Sequence, residues 1–190
     1  MTVVGVLLWI LAILATLGTA ALAVVAVRLR RPLLALPATV PVAVGIVLAA
    51  AGARIDPGTR ALPVLLAFAL AAVGVIAGSP LATAVLDRTA RPEAAGEHGG
   101  ILVRREGAVN GPPREIMRGG SVIGYLERAA VVGAIAIGHP EVLAAVIAVK
   151  GLGRFSELDT SEARERFIIG TLVSLIWSST CGALIWLQVL

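Results

Sequence analysis

Three charged residues, Glu127, Arg128 and Lys150, stand inside otherwise apolar sequence, with Arg154 about one turn nearer the cytosolic end as a fourth member of the cluster. They belong to the stretch GGSVIGYLERAAVVGAIAIGHPEVLAAVIAVKGLGRF, Gly119 to Phe155, which reads as two helices folded back at His139-Pro140. A carboxylate among basic groups at membrane depth is costly unless partnered. Two chemistries fit. The cluster is a structural salt-bridge lock, or it binds a substrate, a proton or an anionic lipid head group.

Depth arithmetic favours pairing. Glu127 and Arg128 precede His139 by 12 and 11 residues, and Lys150 follows it by 11. In an antiparallel hairpin rising 1.5 Å per residue, all three stand ~16–18 Å from the turn. Glu127 is therefore expected to accept a charge-assisted bond from Lys150, Arg154 or Arg128. The strongly apolar residues of the first hairpin helix supply roughly −3 kcal/mol towards insertion, which two charges at ~2.5–3.5 kcal/mol each would outweigh. That helix must pair its charges or hold them near an interface.

Helical spacing adds packing faces. Gly120, Gly124, Glu127, Val131, Ala134 and Gly138 fall on one stripe. The next helix offers Ala144, Ala148 and Gly151, and the last offers Thr171, Ser174, Ser178 and Gly182. Small residues let helices approach closely in lipid, so these three faces are expected to meet.

The elements that position these residues are membrane helices. Of 190 residues 58% are hydrophobic, and only 4% are aromatic. Mean hydropathy is +0.94. A soluble fold of this size has no place for so much apolar surface. The apolar residues come in long blocks, which we read as six spans: 3–27, 33–53, 62–86, 121–138, 140–155 and 162–189. The expected fold is all-α, a polytopic bundle with three helices in 1–86, a loop in 87–120 and a three-helix unit in 121–190. A kink is expected at Gly78-Ser79-Pro80. Asp159 with Glu162 has capping-box spacing for the last helix. Trp9, Trp177 and Trp186 read as ordinary residues of membrane helices.

Lysines and arginines alternate by loop. Thirteen fall on one side of the six-span arrangement and two, Arg54 and Arg60, on the other, with Arg128 inside a span. By the positive-inside rule both termini lie outside and the 87–120 loop is cytosolic, in the cytoplasmic membrane. The N-terminal run has no basic residue before it and is too long for a signal-peptide core, so it reads as a retained helix. The loop mixes both charge signs with Pro and Gly and reads as a linker, in which 101–103 is expected either to form a short strand or to pack on the membrane surface.

The words RGGSVIGYLER (118–128), AVKGLGRFSEL (148–158) and ERFIIGTLVS (165–174) resemble the C-terminal part of a group of small, uncharacterised bacterial membrane proteins. The resemblance implies that Gly124, Glu127, Arg128, Lys150, Arg154 and Gly170 form a signature. It carries no reaction or cofactor.

No catalytic set, metal-ligand spacing or cofactor motif is legible, and nothing marks a nucleic-acid footprint. Cys181 has no base near it in sequence, and His98 and His139 are far apart. The expected role is that of a non-enzymatic accessory, assembly or oligomer-forming subunit, with the lipid bilayer and a second copy or another membrane protein as partners. The alternative is a small transporter or proton-linked carrier using Glu127, for which a water-reachable cavity at that carboxylate is the discriminating feature. A lipid-acting enzyme comes third.

Overall fold

A computed structural model describes residues 3–53, 55–89, 101–103, 114–116, 120–154 and 160–189. Within them the chain is helical apart from one small ribbon and the turns that join the helices. The helices are α1 (Val3–Arg28), α2 (Thr39–Ala50), α3 (Ala61–Ile76), α4 (Gly78–Thr89), α5 (Gly120–Ala136), α6 (Val142–Arg154) and α7 (Ser161–Val189). The ribbon pairs β1 (Ile101–Val103) antiparallel to β2 (Arg114–Ile116), so the 101–103 segment of the loop is a strand.

Four helical segments are long and apolar enough to cross a membrane: Val3–Arg28, Pro32–Ala50, Ala61–Arg88 and Ser161–Leu187. Their outer surfaces are apolar and exposed, including Leu11, Leu14 and Phe68, which is what a lipid-facing surface requires and water disfavours. The two hairpin helices are shorter, α5 with 17 residues and α6 with 13. At 1.5 Å per residue they extend ~26 and ~20 Å.

Local chemistry explains the ends and interruptions. The second span opens as a 3-10 helix, Pro32–Ala38, before α2. Pro37 has no N–H to give an α-helical bond, and the tighter turn accommodates it. The third span is interrupted at Ala77, between α3 and α4. Pro80 explains this, since it leaves the Ile76 carbonyl without its usual helical donor. Gly138 ends α5 at φ +84, with its N–H on the Ile135 carbonyl and the His139 N–H on the Ala134 carbonyl. This is a Schellman cap, followed directly by Pro140. Gly138 was expected in the packing stripe; its role is the left-handed turn instead.

The cap of α7 differs from expectation as well. Thr160, not Asp159, is the N-cap: its Oγ1 accepts the Ala163 N–H at 3.1 Å and its carbonyl accepts the Arg164 N–H. Glu162 then falls one position short of capping-box spacing. Asp159 itself lies outside the described residues.

The core is shared by both ends of the chain. Ala20, Ala23 and Ala26 of α1, Leu70 and Val73 of α3, Val132 of α5 and Cys181, Leu184 and Ile185 of α7 belong to one buried cluster. Helix α1 turns a stripe of Trp9, Ile13, Thr16, Ala20 and Ala23 inward. Helix α7 lies against α3, α4 and α5, whereas α6 rests chiefly on α5 at the periphery.

Candidate functional site: a split charge cluster

Consecutive residues on an α-helix point about 100° apart. That rotation divides the charges of α5. Glu127 faces α6, and Lys150 Nζ donates to its Oε2. Both side chains are largely covered, with 13% and 16% of their surface exposed. Lys150 Nζ also stands 6.0 Å from the centre of the Phe167 ring on α7. The hairpin thus brings together the two groups that the depth arithmetic put at one level.

Arg128 turns the other way, into the bundle, and is 4% exposed. Its Nε donates to the Val75 carbonyl at 2.6 Å, in the last turn of α3. Its Nη1 donates to Ser174 Oγ on α7 at 3.2 Å. The guanidinium carbon lies 5.0 Å from the centre of the Tyr125 ring. Arg128 forms no ion pair among the described residues. The expected single cluster of Glu127, Arg128, Lys150 and Arg154 is therefore two sites: a carboxylate–ammonium pair between α5 and α6, and a guanidinium among neutral acceptors between α3, α5 and α7. Arg154 ends α6, and its side chain lies outside the described part of the structure.

Space for Arg128 is made by glycines. A Cβ on Gly78 would stand 2.5 Å from Arg128 Cδ and 3.3 Å from Trp177 Cδ1. One on Gly124 would stand 3.2 Å from Arg128 Nη1. One turn before Gly78, a Cβ on Gly74 would stand 2.9 Å from both Cys181 Cβ and Val132 Cγ2. Gly74 and Gly78 are thus a small-xxx-small pair that admits α5 and α7 to α3 and α4. The Gly-xxx-Gly spacing is present in the sequence beside the Pro80 kink. Trp177 is also more than packing. Its Nε1 donates to the Val73 carbonyl at 3.2 Å, two residues from the carbonyl that Arg128 takes.

The expected helix faces meet only in part. On α7, Ser174, Ser178 and Gly182 are buried, and a Cβ on Gly182 would lie 3.0 Å from Ile135 Cβ and from the Val132 carbonyl oxygen. On α5, Val131 and Ala134 are buried and Gly120 and Gly124 are half-buried. On α6 the expectation fails: Ala144, Ala148 and Gly151 are exposed. The reason is geometric. Ala148 is two residues from Lys150, about 200° around the helix. Once Lys150 reaches Glu127, with Val142, Leu143 and Val146 half-buried along the same side, Ala148 must face outward.

Among the described residues no group of His, Cys, Asp and Glu has the makings of a metal site. The chain matches no family model, no curated protein and no solved structure.

Proposed function

We propose that this chain is a multi-pass protein of a bacterial cytoplasmic membrane that acts by association, as an assembly or accessory subunit or with copies of itself. The observation that carries the reading is the direction of the charges. Glu127 is taken by Lys150, and Arg128 by Val75 and Ser174 through two of its three nitrogens, so these charges are turned to partners within the chain. The small residues Ala144, Ala148 and Gly151 meanwhile face out of the bundle beside exposed Ile147 and Leu152. A lipid-facing helix gains nothing from small residues, whereas a helix that meets another helix does. In this reading both termini are outside and the 87–120 loop is cytosolic, in keeping with the arginine distribution.

The test is cross-linking in native membranes. Ala148→Cys should give a disulfide-linked species, while the wild-type chain, whose one cysteine Cys181 is buried, should not. Absence of cross-linking to any chain, together with a monomeric mass in lipid nanodiscs and no co-purifying protein, would sink the proposal. A reporter fused at the C-terminus tests the topology, and activity on the cytosolic side would overturn it.

A carrier that uses Glu127 would need Lys150 to release the carboxylate during transport. Transport assays of Glu127→Gln address that reading separately.

A further inference from the structure

We propose that the interruption between α3 and α4 is a cation-receiving site, which the chain fills with its own Arg128 guanidinium and which takes free guanidinium-type ions when that side chain is removed. The inference does not depend on the association reading.

A buried charge is usually balanced by an opposite charge, because desolvation is otherwise too costly. Here the acceptors within reach are neutral, and the buried Nη2 is left without one. The Val75 carbonyl and Ser174 Oγ accept two of the N–H groups, and the face of Tyr125 lies 5.0 Å from the guanidinium carbon. The ring quadrupole attracts a cation in such a position. The helical ladder runs on through Ala77, whose N–H bonds the Val73 carbonyl and whose carbonyl accepts the Leu81 N–H, so the Val75 carbonyl acts as a single local acceptor beside Pro80.

The cavity is also built to the shape of the group. Gly78 and Gly124 border the arginine where any Cβ would stand 2.5 Å from its Cδ or 3.2 Å from its Nη1. Trp177 closes the site, bonding the neighbouring Val73 carbonyl. Acceptors, aromatic face and space together describe a receptor for a planar cation with several N–H donors. Glu127, the adjacent acid, is bonded to Lys150 and acts on Arg128 through space, with no hydrogen bond between them.

The experiment uses the full chain in detergent micelles. Arg128→Ala should lower the thermal midpoint, and guanidinium chloride at about 20 mM should restore part of it. If that concentration is about tenfold above the dissociation constant, the rise is about 3–6 °C. Sodium chloride at equal ionic strength should not reproduce the rise, and wild type should not show it. An equal response to both salts, or an equal response of wild type, overturns the proposal. Should Arg128→Ala fail to accumulate, membrane levels of Arg128→Lys and Arg128→Met decide. Lysine keeps the cation and should accumulate several-fold above methionine; equal levels overturn the proposal, since packing alone would then explain the site.

Discussion

Arg128 and Gly78 share one space: a single carbon added to Gly78 would lie 2.5 Å from the Cδ of Arg128. The contact joins α4 to α5. It explains why a charged residue can lie in the bundle interior, since its stem passes where another helix has no side chain. Gly78→Ala should therefore act through Arg128. Overpacking of this kind costs about 1–3 kcal/mol. In a chain of this size that is a midpoint lowered by roughly 2–12 °C. In an Arg128→Ala background the same change should cost much less. A double-mutant cycle on thermal midpoints measures the coupling, and additive effects would refute the shared space.

The Glu127–Lys150 pair gives a sharper prediction. Removing one member leaves the other covered and uncompensated, which costs about 3–5 kcal/mol. Glu127→Gln and Lys150→Met should each reduce the stable yield in membranes. Exchanging the two, Glu127→Lys with Lys150→Glu, should recover most of it, because both groups stand at the same depth on facing helices. If the exchanged variant is no better than either single change, the pairing is not what stabilises the hairpin.

These charges show what the linear sequence can and cannot convey. The depth match of Glu127 and Lys150 follows from counting residues to the His139-Pro140 turn, because helix rise is constant. The six apolar blocks become helices for the same reason: in lipid each backbone must satisfy itself. Rotation about the helix axis is harder to read. It depends on which neighbour each face meets, and no local spacing shows that. Hence spacing alone groups Arg128 with Glu127, although it points into the bundle, and turns the small residues of α6 inward, although they face out. The Ala77 interruption is legible from Pro80, but the groups that bond there, Arg128 and Trp177, stand 53 and 104 residues from the carbonyls they take. Only the Gly74–Gly78 spacing hints at them.

Glycines on the bundle helices should divide sharply by position. A Cβ on Gly182 would stand 3.0 Å from the Val132 carbonyl oxygen, a backbone atom that cannot move aside alone. Gly182→Ala should then separate α7 from α5 and cost about 1–3 kcal/mol. Gly133, on the exposed face of α5, has nothing within 4 Å of its Cβ position. Gly133→Ala should be neutral or stabilise by up to about 1 kcal/mol, from helix propensity. Thermal unfolding of the two variants side by side checks this, and equal destabilisation would mean that α5 is rotated from the position described.

The turn between α5 and α6 depends on a different property of glycine. Gly138 holds φ +84, where an L side chain is strained, and there is no close neighbour for a Cβ to strike: the nearest atom is Trp186 Nε1 at 3.7 Å. Gly138→Ala should thus cost about 1–2 kcal/mol through backbone strain alone. Gly138→Asn, which tolerates the left-handed region better, should cost less. The two readings of the turn part here. If crowding against Trp186 mattered more than φ, the larger asparagine would be the worse substitute, and Trp186→Ala would rescue both variants. With strain as the cause, Trp186→Ala leaves the difference between alanine and asparagine unchanged. Midpoints for the four variants measured in one lipid decide between them.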